Sequence, residues 1–139
     1  VGEYAALAAA GVFEFGDAVR AVHFRGKYMQ EAVPAGKGTM YAILKQEEAQ
    51  VKLACEAAST EDEKVQPANF NEPAQIVISG DKFACERAIR LMEQNTGARV
   101  KAIELQVSAP FHCSLMKPAE LKLRPILEHI RFNKPRFPY

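Results

Sequence analysis

The stretch Gln75-Ile76-Val77-Ile78, followed by Ser79-Gly80-Asp81, decides the fold of this chain. An uninterrupted run of β-branched residues favours a buried strand. The small and acidic residues directly after it are typical of a helix cap. The helix that follows carries apolar residues on one face, namely Ala84, Ala88 and Leu91, and Gly97 ends it. The stretch therefore predicts a central strand that leads into an amphipathic helix.

The same alternation of strands and helices extends to both sides. On the N-terminal side, Met40-Tyr41-Ala42-Ile43-Leu44 predicts a strand, and apolar residues at helical spacing predict a helix: Val51, Ala54, Cys55 and Ala58. A weaker strand covers 65–70, where Pro67 favours an edge position, and Asn71-Glu72-Pro73 predicts a turn. Val100 begins a last strand. The resulting order, β-α-β-β-α-β, is that of a ferredoxin-like unit.

The last strand indicates how this unit joins the rest of the chain. Its apolar alternation slips by one residue at Ala102-Ile103, which is typical of a bulge or of a passage from one sheet into another. We therefore expect residues 39–104 to form a subdomain inserted into a larger unit. Residues 1–38 and 105–139 would belong to that larger unit, and the fold class is mixed α/β.

Composition excludes several classes of function. The 139 residues include 18 Lys+Arg and 17 Asp+Glu, a formal net charge of +1. Such a chain lacks the basic surface with which proteins bind nucleic acids or anionic membranes. The longest apolar stretch, residues 4–13, is too short to span a bilayer. Three widely spaced cysteines form no disulfide framework, and they favour a reducing cytoplasm.

The sequence starts and stops abruptly. Val1-Gly2-Glu3-Tyr4 leads at once into an alanine-rich helix that ends at Gly11, and residues 131–139 are an extended run punctuated by prolines. We therefore expect the chain to be a fragment of a longer protein. In a Gly-x-Ser-x-Gly elbow, the nucleophilic serine precedes a helix directly. Val1-Gly2 would be the last two residues of such an elbow, but the serine itself is absent.

Arg25 is the first candidate site residue. A helix is predicted over 17–30 with Asp17 as its N-cap, and Ala18, Val22, Arg25 and Met29 share one face of it. A guanidinium on an apolar stripe needs an anionic partner, because arginine does not lose its proton. That partner is either a carboxylate of the protein or the carboxylate or phosphate of a ligand.

His112 is the second candidate. It lies in a loop, residues 108–114, between a strand and a helix, and Pro110 and Phe111 precede it. Loops positioned by a rigid scaffold carry many catalytic residues. A single histidine in a loop can equally be structural or simply exposed. No zinc motif, Cys/His cluster, phosphate-binding loop or dinucleotide fingerprint is present, so no metal site is predicted.

Four segments in order resemble the malonyl-CoA:acyl carrier protein transacylases of bacterial fatty-acid synthesis. The segments are Val1-Gly2-Glu3-Tyr4-Ala5-Ala6-Leu7, residues 25–34 (RGKYMQEAVP), residues 69–80 (NFNEPAQIVISG) and Ser108-Ala109-Pro110-Phe111-His112-Cys113. Together they span nearly the whole chain. The resemblance implies an α/β-hydrolase-like core with a ferredoxin-like insertion, of which this chain would be the central part.

The resemblance also implies a two-step acyl transfer. The elbow serine attacks malonyl-CoA while His112 acts as general base, and the backbone N–H of Val1 is one oxyanion donor. Arg25 holds the malonyl carboxylate through a bidentate pair. Asn71 would line the pocket, and the ring of Phe111 would leave little room for a branched α-carbon.

The partners implied are malonyl-CoA and acyl carrier protein, whose phosphopantetheine thiol accepts the acyl group. The enzyme itself would need no cofactor. Because the serine and the flanking segments are missing, we expect the 139-residue chain alone to be inactive. Two alternatives stay open. One is a non-enzymatic ferredoxin-like binding module, which would need neither Arg25 nor His112, and the other is a hydrolase that transfers the acyl group to water.

Overall fold

The computed structural model describes residues 2–138, so the prediction for Val1 lies outside the described residues. The chain divides into two compact units. One comprises the chain up to Glu31 and from Pro118 onward, and the other comprises residues 32–117. The elements are α1 (Glu3–Ala9), α2 (Phe15–Ala32), β1 (Gly38–Leu44), α3 (Glu48–Ala58), β2 (Val65–Glu72), β3 (Gln75–Asp81), α4 (Lys82–Thr96), β4 (Lys101–Glu104) and α5 (Lys117–Glu128).

The unit of residues 32–117 contains a four-stranded antiparallel sheet in the order β2-β3-β1-β4. Its elements follow one another as β-α-β-β-α-β, the order expected from the sequence. β2 lies at the edge, as Pro67 predicted, and its pairing with β3 is irregular between Pro67 and Asn69 and again between Phe70 and Glu72. An edge strand can carry a proline because one row of its backbone groups has no partner strand.

Both helices of this unit cover the same face of the sheet. The apolar face predicted for α3 is confirmed: Val51, Ala54, Cys55 and Ala58 are all buried. On α4 the buried residues are Ala84, Cys85, Ala88 and Met92, whereas Leu91, predicted to be buried, is only partly so. The helix ends at Gly97, which has a φ of 65°. These residues form one core with Ile43, Ile76 and Ile78 of the sheet.

Two predictions around β3 are wrong. Asn71 lies within β2 and not in a turn, and the turn is Pro73-Ala74. Ser79 and Gly80 belong to β3, because the antiparallel pairing with β1 continues to its last residue. Asp81 is the N-cap residue of α4, as the sequence predicted, but its side chain makes no capping hydrogen bond. Its Oδ2 instead accepts a hydrogen bond of 2.8 Å from the backbone N–H of Lys64, which joins the sheet to the loop before β2.

The bulge expected at Ala102-Ile103 is absent, because these residues pair in regular register with Ile43 and Ala42 of β1. β4 stops at Glu104, and the backbone N–H of Leu105 makes one further hydrogen bond, of 2.9 Å, to the carbonyl of Met40. The N–H of Val107 then donates to the carbonyl of Leu105 at 2.9 Å, which is a three-residue turn. The chain therefore turns away from β1.

The other unit has a smaller core formed by Phe13, Ala18, Ala21 and Ile130. α2 begins at Phe15, so Asp17 lies in its first turn and is not the N-cap that was predicted. The predicted apolar stripe is only partly buried, since Val22 is 49% exposed. Ala18, a member of that stripe, is buried as expected, together with Ala21. Their small side chains let the rings of Phe13 and Tyr4 approach the helix.

α5 runs through Pro125 without a break, so the helix is not split there. Pro118 is its second residue, a position where the missing N–H costs little. None of the helices in residues 2–138 combines the length and the apolar character that crossing a membrane requires.

The buried thiols predict how stability depends on pH. Burial raises the pKa of Cys55 to about 12, and it also raises that of Cys85. An unfolded thiol loses its proton above about pH 8.5, whereas these folded thiols retain theirs. The stabilisation is complete below the unfolded pKa and is lost as the pH rises towards the folded pKa.

We therefore expect the free energy of unfolding to fall by up to about 1.4 kcal/mol per pH unit for each thiol above about pH 9. Urea unfolding of the wild type and of Cys55→Ala at several pH values measures this. The variant should be less stable at neutral pH but should lose less stability as the pH rises. Equal slopes in the two proteins would contradict the prediction.

Candidate active site

His112 lies in a short segment, residues 109–114, which we call the histidine loop. The loop covers the face of the sheet opposite to α3 and α4. On that face Met40, Ala42 and Val77 form a small buried cluster, and the side chains of Leu105 and Phe111 pack against it. Successive residues of a strand point to opposite faces, so the same strands serve the helical core with one set of side chains and the histidine loop with the other.

The first part of the loop is fixed by burial. Ala109 is 2% exposed, and Pro110 is among the most completely buried side chains. The ring of Pro110 packs directly on Gly38 at the start of β1. The ring of Phe111 then covers the apolar cluster. Proline fixes its own backbone φ, so this half of the loop is rigid.

The second part of the loop is fixed by hydrogen bonds. The Cys113 thiol donates to the carbonyl of Pro110 at 3.1 Å, which closes the loop on itself. The backbone N–H of Ser114 donates to the side-chain oxygen of Gln66 at 2.9 Å, which attaches the loop to β2. Sequence reasoning did not identify Gln66 or Gly38, because no local pattern connects them with a loop tens of residues away.

His112 itself has a strained backbone. Its φ is 58°, in the left-handed region that residues with a side chain rarely adopt. The N–H of Phe111 donates to the carbonyl of Ala109 at 3.1 Å, which makes the turn before it tight. The side chain of His112 is exposed, whereas Ala109 and Pro110 before it are buried. Strain of this kind persists only where the surroundings impose it, and it is concentrated at functional sites.

The thiol next to His112 is suited to a structural role. Burial raises the pKa of Cys113. The thiol therefore stays protonated near neutral pH, and it can donate the hydrogen bond that closes the loop. Within the described residues, the Ser79 oxygen is buried without a hydrogen-bond partner, on the same face of β3 as Val77.

Arg25 lies on α2, one turn after the buried Ala21, and its side chain is partly buried. The contact shown for its guanidinium is the ring of Tyr4, whose centroid is 6.0 Å from Cζ. A cation held over an aromatic ring keeps its hydrogen-bond donors available at its edge. The ring of Tyr4 therefore helps to position the Arg25 side chain, and the anionic partner expected from the sequence is not needed for this.

The structure brings only some of the predicted site residues together. Phe111 and His112 share the histidine loop, and Asn71 is an exposed residue of the edge strand β2. Arg25 belongs to the other compact unit, which comprises the chain up to Glu31 and from Pro118 onward. Gly2 has a φ of 82° and directly precedes α1, so the chain enters this helix through a sharp turn.

Metal-ligating side chains are dispersed in the part of the chain that the structure describes. No group of three or more His, Cys, Asp or Glu side chains in residues 2–138 is arranged to hold a metal ion.

Comparison with known proteins identifies the family to which this chain belongs. A sequence profile described as "Acyl transferase domain" matches residues 1–139. The malonyl CoA-acyl carrier protein transacylase of Escherichia coli K12 is 51% identical over 138 residues, which are 99% of this chain and 44% of that protein. This chain therefore spans less than half the length of that relative.

Solved structures agree with the sequence match. An acyl carrier protein S-malonyltransferase from Vibrio cholerae has a TM-score of 0.89 and 48% identity, covering 99% of this chain and 44% of that one. A type II PKS acyl-carrier protein in complex with its malonyl-transacylase has the same TM-score, 0.89, and 48% identity, covering 98% of this chain and 43% of that one. Because the profile matches from the first residue to the last, the chain belongs to the acyl transferase domain family.

Proposed function

We propose that the enzyme containing this chain transfers the malonyl group of malonyl-CoA to the phosphopantetheine thiol of an acyl carrier protein, a step of fatty-acid biosynthesis. The observation that carries the proposal is the 51% identity, over nearly all of the chain, to a malonyl CoA-acyl carrier protein transacylase. The relatives reported above are named as transferases, which favours an enzyme over a binding module. The solved complex of a malonyl-transacylase with an acyl-carrier protein supports such a protein as the partner.

In this proposal His112 is the general base. A serine supplied from outside the chain attacks the thioester carbonyl carbon, and the His112 imidazole accepts its proton. The imidazolium then returns that proton to the departing coenzyme A sulfur, leaving an acyl-serine. In the second half His112 deprotonates the phosphopantetheine thiol, the thiolate attacks the ester, and the serine regains a proton. The exposed ring on a rigid loop supports this role, because both substrates must reach the same nitrogen.

Arg25 is proposed to bind the free carboxylate of the malonyl group. The guanidinium forms two parallel hydrogen bonds to a carboxylate, and a lysine would not reproduce that geometry. The ring of Tyr4 beneath it supports the proposal, since it restricts the guanidinium without occupying its donors. The backbone N–H of Val1 is proposed as an oxyanion donor.

The larger architecture is also a proposal. We infer that residues 39–104 are a ferredoxin-like insertion and that residues 1–38 and 105–139 belong to an α/β-hydrolase-like core. The β2-β3-β1-β4 order supports the first part. Asn71 is proposed to line the pocket, and the bulk of Phe111 to disfavour branched acyl groups. No cofactor is needed by this chemistry, and the free cysteines favour the cytoplasm.

Intact mass measurement of the longer enzyme tests the proposed function. After mixing with malonyl-CoA, the protein should gain the mass of one malonyl group. Addition of acyl carrier protein carrying phosphopantetheine should remove it and add the same mass to the carrier. An enzyme that never gains the group refutes the proposal. Rapid release of malonate in the absence of the carrier would instead indicate a hydrolase.

Replacement of His112 tests the base. His112→Ala should abolish acyl-serine formation, because the serine then has no group to accept its proton, with a loss of about 10²-fold or more. His23→Ala is the matched control, since His23 is an exposed histidine on α2. It should load malonyl at the wild-type rate. Unchanged loading in His112→Ala would remove this residue from the mechanism.

Replacement of Arg25 tests the carboxylate clamp. Arg25→Ala should reduce kcat/KM for malonyl-CoA far more than for acetyl-CoA, because only the malonyl group has a free carboxylate. Arg20→Ala is the control on the same helix, and its guanidinium packs over Phe24 at 5.9 Å in a similar way. Equal losses with the two substrates would show that Arg25 does not bind the carboxylate.

A further inference from the structure

We propose that Gly38 is a positioning residue for His112, acting through Pro110. The inference rests on the proposed function, because it concerns the base of that reaction. Gly38 is the first residue of β1, and Pro110 lies two residues before His112. The absence of a side chain at position 38 lets the proline ring occupy the space above the strand and fixes the height of the histidine loop over the sheet.

The contact between the two residues leaves no room for a methyl group. A Cβ built on Gly38 would lie 2.3 Å from Cγ of Pro110, 2.6 Å from its Cδ and 2.9 Å from its Cβ. Non-bonded carbons pack at about 3.5–4.0 Å. The backbone of Gly38 is not in the left-handed region, so an alanine there meets no conformational obstacle. The three atoms nearest to the added Cβ all belong to the proline ring.

The strand cannot yield to relieve this clash. Gly38 is paired with Asp81 of β3, and the N–H of Lys82 donates to the carbonyl of Lys37 at 3.0 Å. β1 is also paired with β4 on its other side, but only from Tyr41 to Leu44. Moving the start of β1 would therefore break its backbone hydrogen bonds to β3.

The histidine loop must move instead, and its hydrogen bonds leave it little freedom to do so. The carbonyl of Pro110 accepts a hydrogen bond from the Cys113 thiol, and the N–H of Ser114 donates one to the side-chain oxygen of Gln66. His112, with a φ of 58°, lies between these two attachments. A shift of Pro110 by about 1 Å is thus transmitted to His112 and cannot be absorbed by the residues in between.

Catalysis by a general base is sensitive to such a shift. A misplacement of about 1 Å can reduce a rate by about 10²-fold, even when the altered residue does not touch the substrate. We therefore expect Gly38→Ala to slow acyl-serine formation by about ten- to a hundredfold. KM for malonyl-CoA should change little, because the clash lies at the loop that carries the base and not at Arg25.

The test uses the longer enzyme and single-turnover acylation followed by intact mass, together with thermal unfolding. Gly16→Ala is the neutral control, since a Cβ there meets nothing within 4 Å. Gly80→Ala is the structural control, since its Cβ would lie 2.0 Å from the backbone oxygen of Lys64. The first should leave acylation unchanged and should not lower the unfolding temperature, because alanine is a better helix former than glycine. The second should lower the unfolding temperature markedly.

Rescue separates positioning from a general loss of packing. Pro110→Ala removes Cγ and Cδ, the two atoms nearest to the new methyl group. The double variant Gly38→Ala/Pro110→Ala should therefore acylate faster than Gly38→Ala alone. A double-mutant cycle gives the coupling between the two positions.

Each result has one interpretation. Wild-type enzyme that gains no malonyl group refutes the proposed function itself. If the wild type is acylated, a Gly38→Ala variant that acylates at the same rate overturns the positioning role alone. A variant that is unfolded, or that is slow, as unstable as Gly80→Ala and not rescued by Pro110→Ala, also overturns it. Slow acylation at near-normal stability, with rescue, is the expected result.

Discussion

The antiparallel pairing of β1 with β3 is the interaction on which the rest of the 32–117 unit depends. It runs over seven residue pairs, from Gly38 opposite Asp81 to Leu44 opposite Gln75. Because side chains alternate along these strands, one face receives α3 and α4 and the other receives the histidine loop. A register shift of one residue would exchange the two faces, so the helical core and the loop support would be lost together.

The histidine loop shows how a small sheet holds a strained residue. A left-handed backbone at a residue with a side chain costs of order 1–3 kcal/mol, and the loop retains it because each neighbour is fixed separately. Pro110 is held by burial, Cys113 and Ser114 by hydrogen bonds, and Phe111 by apolar packing. The sheet is therefore more than a peripheral addition to the chain. It supplies the contacts that determine where His112 is presented.

Several patterns that repeat within one element were read correctly from the sequence, although the stripe predicted on α2 is only partly buried. The buried face of α3, the edge position of β2 at Pro67 and the end of α4 at Gly97 follow from helical periodicity and backbone chemistry, which act over a few residues. Element ends were read less well. Ser79-Gly80 was assigned to a cap but continues β3, and Asp17 was assigned to a cap but lies inside α2, because tertiary pairing and packing extend elements beyond their local signals.

The sequence by itself determined the order of the elements, the apolar faces that build the helical core and the family resemblance, since all of these depend on the identity and spacing of nearby residues. Only the tertiary structure decided that Gly38 meets Pro110, that Gln66 meets Ser114 and that the Arg25 guanidinium lies over the ring of Tyr4. These contacts join residues up to 72 positions apart. A single sequence shows no pattern for such pairs. They come close only because the strands and helices that lie between them in the chain pair and pack.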